Sequence, residues 1–427
     1  MKTAKNKIVA GIELGSSKVA TIIAQVTLDS VSLEKNINLI GVSATESKGV
    51  KKGQIVDIEE AVESMITSVE SAERMAGYNL DNAYISLGGA HVSSQNSHGV
   101  VAVSNPEGEI SFEDVDRVVE AASAISLPSS RELIHVLPRE FIVDGETGVK
   151  DPVGMSGVRL EVQTHLITAS NAAVKNIRKA VNEVGIAANE LVYSGLAASE
   201  AALTKTEKEL GCVLVDIGGG TTTIAAFIDG ALSYSSVFPI GAKNVTNDLA
   251  IGLRVSLESA EKIKLALSDD DKKSKKTKDT QISDEFDLQS LGIDEVKKVS
   301  KKTLTEGIIR PRLNEIFSMV KLALDRENLA ARIPAGVIIT GGGAETVGAN
   351  ESAKRMMLLP VRIGKPRNVG GLIDDVINPA YATPVGLVLY GANRESTEPL
   401  TTFSKRFKLP AKGFAGKLIE TIKDLLP

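Results

Sequence analysis

The sequence predicts an α/β protein of two duplicated lobes, and three short glycine-rich stretches are the observations behind that prediction. The first, Gly11-Ile12-Glu13-Leu14-Gly15-Ser16-Ser17-Lys18-Val19, and the second, Val215-Asp216-Ile217-Gly218-Gly219-Gly220-Thr221-Thr222-Thr223, share one layout. Each follows an apolar, strand-like run, places one carboxylate, then supplies glycines and hydroxyls; Glu13 and Asp216 lie 203 positions apart. Such a stretch makes a tight turn between strands, with backbone N–H groups turned toward an anion. The third, Ile338-Ile339-Thr340-Gly341-Gly342-Gly343-Ala344, ends another apolar run in glycines suited to close contact with a flat base or ribose. One glycine turn is common in any α/β protein. Three in this order point to a nucleotide gripped between two lobes, with Glu13 and Asp216 holding a hydrated Mg²⁺ from either side.

The remaining elements follow in chain order. A basic start gives way to an apolar stretch that Glu13 interrupts after five residues, which is no secretory signal. Residues 57–77 read as a helix: Asp57 caps it, Ile58, Ala61, Val62, Met65, Ile66 and Val69 form one face, and Gly77 stops it. Tyr84 to Ala90 is a strand running into a glycine turn. From there to Ile167 the texture changes. Strand-like Val100 to Val103, a helical stretch from Ser111 to Ala124, and strands at Leu133–Leu137, Glu140–Val143 and Val158–Leu166 describe a small inserted α+β subdomain. The four histidines, His91, His98, His135 and His165, lack metal-ligand spacing and read as structural or surface residues. Residues 170–185 repeat the helical pattern, with Ser170 or Asn171 as cap, Val174, Ile177 and Val181 on one face, and Gly185 as the stop.

The second half carries its own insertion, about 229–305. Within it Ser268 to Asp279 is a block of mixed charge without an apolar residue, expected as a solvated loop or disordered tip. The last strand-like run ends near Tyr390-Gly391, and residues 393–412 are a polar linker with Pro399 and Pro410. In the segment after it, Phe414, Leu418, Ile419, Ile422, Leu425 and Leu426 fall within one arc of a helix, opposite Lys417, Glu420, Lys423 and Asp424. At about 1.5 Å per residue that helix is near 20 Å long, short of a bilayer core of about 30 Å. It is suited to lie in the interface of an anionic membrane, helped by Lys405, Arg406, Lys408 and Lys412.

Composition agrees with several cores rather than one. The chain has 427 residues, 43% of them hydrophobic, yet aromatics are only 4% and Trp is absent, so aliphatic side chains must fill the interior. A net charge of −5 offers no field for nucleic acid. The single Cys212 excludes an internal disulfide, fits a reducing compartment and reads as a small core residue; no apolar run is long enough to span a membrane. The body of the protein is expected to be soluble and intracellular.

Taken together, the motifs resemble the actin-like ATPase superfamily, and within it the FtsA family of bacterial cell-division proteins. The second resemblance is carried by Leu160 to Ser170, Pro152 to Arg159, the second glycine motif and Ala382 to Gly391. It covers essentially the whole chain. It implies a two-lobed actin-like ATPase fold with an inserted subdomain of the FtsA 1C type and a tethered C-terminal amphipathic helix. By that resemblance lobe 1 is 1–83 with 167–200, the insertion 84–166, lobe 2 is 201–228 with 306–392, its subdomain 2B 229–305, the linker 393–412 and the membrane helix 413–427.

The resemblance also implies ATP and Mg²⁺ as cofactors. Gly15, Ser16, Ser17 and Lys18 would form the first phosphate loop, Gly218, Gly219, Gly220, Thr221 and Thr222 the second, and Gly341, Gly342 and Gly343 the adenosine loop. Lys243 would belong to the same site, with Glu261 for the ribose hydroxyls and Lys264 over the base. Ala242 stands where relatives often carry a second glycine. The segment Tyr193 to Ser199 contains no acid to orient an attacking water, Glu190 and Glu200 only flanking it, so at most a slow ATPase is expected. The family's partners would be the FtsZ C-terminal tail, further copies in a filament, later division proteins and the cytoplasmic face of the inner membrane at the septum. Two alternatives share the superfamily: an FtsA-like adaptor of the type IV pilus machinery, and a sugar or carboxylate kinase. The terminal helix favours division over both.

Overall fold

A computed structural model of the chain describes residues 7–28, 35–277, 284–293, 298–372, 374 and 376–394, with backbone alone at 272–277. The linker and the amphipathic helix expected at 393–427 lie almost wholly outside the described residues. From the N-terminal side, β1 (Lys7–Leu14), β2 (Lys18–Leu28) and β3 (Lys35–Glu46) form a meander, α1 (Ile58–Ala76) crosses over, and β4 (Asn82–Leu87) returns parallel to β1. The inserted unit follows as β5 (Ser93–Ala102), α2 (Phe112–Ser123), β6 (Arg131–Val143), β7 (Glu146–Val149) and β8 (Arg159–Ser170). Next come α3 (Asn171–Glu183), β9 (Ala187–Tyr193) and the connecting helix α4 (Ser194–Ala202). The second lobe has β10 (Cys212–Ile217), β11 (Thr222–Ile228), β12 (Ala231–Phe238), α5 (Ala242–Leu253), α6 (Leu257–Thr277) and α7 (Arg310–Arg326). β13 (Val337–Thr340) and β14 (Val361–Ile363) complete its sheet, after which the chain returns to lobe 1 with the two-residue β15 (Gly370–Gly371) and ends in α8 (Ala382–Arg394).

The duplication is explicit in the sheets. Lobe 1 orders its strands β9-β4-β1-β2-β3-β15, and lobe 2 orders them β14-β13-β10-β11-β12. In each, the first hairpin is antiparallel and its first strand pairs in parallel with the strand after the crossover. Strands buried on both faces need unbroken apolar runs, and Val213-Leu214-Val215 and Ile338-Ile339 supply them. The two lobes meet through α4 and α8, where Gly386 packs on the Ala197 backbone so closely that any side chain would collide.

The insertion has its own core. Its sheet, ordered β5-β8-β6-β7, packs Phe141, Leu160 and Val162 against Val118 and Ala122 of α2, which is fixed at its start by a capping box between Ser111 and Asp114. The two strands expected at Leu133–Leu137 and Glu140–Val143 are one strand, β6. A register shift at Pro138, which has no N–H to donate, leaves Arg139 as the bulged residue. That bulge turns Arg139 toward lobe 2, where its Nε donates to Ser233 Oγ at 3.1 Å.

A polar seam then joins the insertion to β12. Ser94 Oγ donates to the Ser235 carbonyl (2.7 Å) and Asn96 Nδ2 to the Ser233 carbonyl (3.3 Å). Two side chains at alternate positions of β5 thus satisfy two alternate carbonyls on the outer edge of lobe 2. Buried His165 of β8 lies between them, Nδ1 at 2.7 Å from Asn96 Oδ1 and Nε2 at 2.9 Å from Ser235 Oγ. Because Asn96 Oδ1 can only accept, Nδ1 carries the proton. Burial, with the Arg139 charge nearby, pushes this imidazole down to about 3.

Several expectations require correction. Ala382 to Gly391 is not a strand but helix α8, buried along nearly its whole length; a helix apolar all round shows no stripe to distinguish it from a strand. The charged block at Ser268 is not a loop, because α6 continues through it to Thr277. Tyr84–Leu87 belongs to the lobe 1 sheet and residues 167–170 to the insertion's sheet, so the insertion begins and ends later than 84–166. Ala231–Phe238 completes the lobe 2 sheet, so the second insertion starts after it; its own core gathers Val245, Leu249, Ile263, Leu304 and Leu313. On α1, capped by Asp57 and stopped by Gly77 at φ 65°, Ile66 is exposed, and Ser64 and Ser68 are buried instead. Thr21 and Ser68 exchange a hydrogen bond (2.9 Å) there, so the buried face is partly polar.

Candidate functional site

The two hairpin turns face each other across a cavity of about 540 Å³. They are built alike: Gly15 N–H donates to the Lys18 carbonyl (3.0 Å) and Gly218 N–H to the Thr221 carbonyl (2.8 Å). They also nearly touch, since a Cβ placed on Gly219 would lie 1.8 Å from Ser17 Oγ. Gly15, Ser16, Ser17, Lys18, Gly218, Gly219 and Thr221 line the cavity. Gly220 and Thr222 do not: Gly220 packs against Ser16, and the Thr222 hydroxyl, buried on β11, donates to the Ile240 carbonyl.

The two expected metal carboxylates lie at the cavity floor. Asp216 accepts from Thr383 Oγ1 (3.0 Å), a residue of the first turn of α8. Burial and the neighbouring Glu13 charge raise Asp216 to about 7. Burial raises Glu13 as well, with Lys18 acting against it. Lys18 Nζ is 3.5 Å from Glu13 Oε2, an ion pair that leaves this buried oxygen without a hydrogen bond. Its stronger bond runs to the Ala380 carbonyl (2.6 Å), with the Tyr381 ring 3.9 Å away. Two half-buried carboxylates that resist ionisation together are the donor set a hydrated divalent cation would satisfy.

The third loop closes the site. Gly341 holds φ +80°, and a Cβ there would lie 2.2 Å from Asp216 Oδ1, so only glycine allows this backbone beside the carboxylate. Gly341, Gly342 and Gly343 all line the cavity, as do Glu261 and Lys264. Lys264 Nζ does not lie free over a base: it is nearly buried and donates to Thr246 Oγ1 (2.9 Å) and Glu261 Oε2 (2.7 Å). The neighbouring Leu265 is exposed and lines the cavity, an apolar side chain on the same helix available to a ligand.

Lys243 sits in the first turn of α5. Ala242 N–H and Lys243 N–H donate to the Gly218 and Gly219 carbonyls (2.9 and 2.8 Å), so the helix start is fixed to the second loop. The residue that must be glycine here is Gly241, whose Cβ would lie 2.6 Å from the Gly218 carbonyl; Ala242 fits without displacement. The Lys243 ammonium crosses the cleft and donates to the Ser16 carbonyl at 2.6 Å.

Comparison with known proteins matches this architecture. Residues 89–168 match the family described as the SHS2 domain inserted in FtsA, and residues 213–386 match the cell-division protein FtsA family. The chain is 37% identical to the cell-division protein FtsA of Pseudomonas aeruginosa, covering 91% of this chain and 90% of that one. It is 38% identical to FtsA of Bacillus subtilis, covering 90% and 83%. The chain belongs to the FtsA family of cell-division proteins. Among solved structures, a PilM–PilN type IV pilus biogenesis complex aligns with 92% of this chain and 99% of that one, at a TM-score of 0.63 and 16% identity. That likeness is one of fold, the actin-like two-lobed ATPase architecture, whereas the FtsA likeness is one of sequence along nearly the whole chain.

In this FtsA-family site, sequence reasoning missed the residues that come from outside the glycine motifs: Ser86, Ser194, Ser268, Asp269 and Thr383 all line the cavity. Each is a small polar residue or acid in an otherwise ordinary helix or strand, and no spacing marks it. The two flanking acids stay outside: Glu190 accepts from Tyr390 Oη (2.7 Å) and Glu200 pairs with Lys208 (2.8 Å). Cys212 is fully buried with its thiol pushed up to about 12 by burial, as suits a core residue. Among the described residues no cluster of three or more His, Cys, Asp or Glu could hold a metal on its own.

Proposed function

We propose that this FtsA-family protein binds ATP between its two lobes and acts as a scaffold that assembles on the cytoplasmic face of the inner membrane at the septum. There it tethers the FtsZ C-terminal tail and receives later division proteins. The observation that carries the nucleotide half is the pair of matching turns, Gly15–Lys18 and Gly218–Thr221, facing each other with Glu13 and Asp216 beneath them. Backbone N–H groups of both turns would hold the phosphates, and the third loop with Leu265 the adenosine. Mg²⁺ would be held through water by the two carboxylates and would neutralise phosphate charge. Hydrolysis is slow in this reading, because α4 presents Ser194 to the cavity while Glu190 and Glu200 are engaged elsewhere.

The membrane half rests on the amphipathic sequence of 414–426, and docking of the FtsZ tail on subdomain 2B rests on family membership. Among the described residues no helix is long and apolar enough to cross a membrane. Titration of the full chain with ATP and Mg²⁺, followed by a turnover assay, tests the core of the proposal. Tight binding with turnover far below the roughly 1–100 per second of kinases is expected. Turnover in that range would favour the kinase alternative, and no binding would end the nucleotide reading.

A further inference from the structure

Three lysines line the cavity, and two of them are matched to carboxylates: Lys18 to Glu13 (3.5 Å) and Lys264 to Glu261 (2.7 Å). Lys243 is different. Among the described residues its ammonium meets no carboxylate and donates only to the Ser16 carbonyl. Its backbone moves with the second loop, through the bond to Gly219, while its side chain holds the first. It is therefore a charge without a carboxylate partner among the described residues, placed where the two phosphate loops come nearest. A neutral carbonyl is a weaker partner for an ammonium than a phosphate oxygen carrying charge.

We infer that Lys243 is the residue that distinguishes a nucleoside triphosphate from a diphosphate, by exchanging the Ser16 carbonyl for the terminal phosphate while keeping the two lobes joined. The inference rests on the nucleotide reading above and deepens it. The long, flexible stem lets the ammonium move between the two oxygens without disturbing α5, whose start is already held by Gly218, Gly219 and the Asn244 side chain on Gly241 N–H. The terminal phosphate would then bridge loops that, among the described residues, otherwise meet through this side chain and van der Waals contact. Closure of the cleft becomes a readout of phosphate number.

The test compares affinities of the full chain for a non-hydrolysable ATP analogue and for ADP, each with Mg²⁺, in wild type, Lys243→Met and Lys243→Arg. Melting curves of each variant without nucleotide separate a loss of binding from any loss of stability through the missing bond to Ser16. The wild type should prefer the triphosphate. Lys243→Met should weaken triphosphate binding about tenfold or more, the loss of one charged hydrogen bond, with a much smaller change for ADP. Lys243→Arg should keep the preference. Equal weakening of both nucleotides, or no change in either, overturns the assignment while leaving the nucleotide site intact. A wild type that binds neither nucleotide overturns the nucleotide reading, and this inference with it.

Discussion

At Gly219 the opposing loop is so near that the position tolerates no side chain. Gly219→Val should force Ser17 away, open the gap between the turns and abolish measurable ATP binding in a titration, while wild-type affinity in this variant would mean that the turns are not the site. His165 offers a test by pH. The unfolded chain takes up a proton near pH 6.5, but the folded seam refuses it until about 3, so between those values the unfolded state holds more protons. Stability should therefore fall as pH drops through this window, by up to about 1.4 kcal/mol per unit. In thermal melts His165→Gln should be less stable at neutral pH but show a flatter decline toward pH 4; parallel curves would place the acid sensitivity elsewhere. At this scale the glycines were legible in the sequence, since their run lengths and the carboxylate before each pair of turns are local features. The partners of Lys18, Lys264 and Asp216 were not: Ala380, Thr246 and Thr383 are far away in the chain, and only the folded lobes bring them in.

Among the elements, α6 changes what the charged block should do. Ser268 Oγ accepts from the Val347 N–H (3.1 Å) and donates to the Lys264 carbonyl (2.9 Å), and Asp270 pairs with Lys301 (2.7 Å). Deleting residues 268–279 should therefore lower the melting temperature and weaken nucleotide binding, since Ser268 and Asp269 also line the cavity. A deletion variant with unchanged melting and affinity would return the block to the role of a dispensable tip. Helices with one apolar stripe, such as α1 and α3, were readable from residue spacing. The misread elements share a physical cause: α8 is buried on all sides, and the sequence of α6 from Ser268 onward holds no apolar residue, so neither presents the contrast that periodicity needs. Polar β5 was only half found because its Ser-Ser-Gln-Asn start faces a polar seam rather than a core.

For the molecule as a unit, the proposed anchor is the amphipathic sequence 414–426. Replacing Leu418 and Ile422 with Asp should release the full chain from anionic vesicles in a sedimentation assay and leave ATP affinity unchanged; wild-type sedimentation would show that another part of the protein holds the membrane. A single short helix binds reversibly, so attachment should steepen with protein density as many helices share one surface. Crowding of that kind favours adventitious β-pairing between neighbours wherever a sheet leaves backbone groups open. Here three of those edges are blunted. Lobe 1 ends in the two-residue β15 and lobe 2 in the three-residue β14, while Ser94 and Asn96 occupy the carbonyls that β12 would otherwise offer. In the assembly proposed above, these short or occupied edges would disfavour strand pairing between neighbours and leave contacts between copies to folded faces that can also let go.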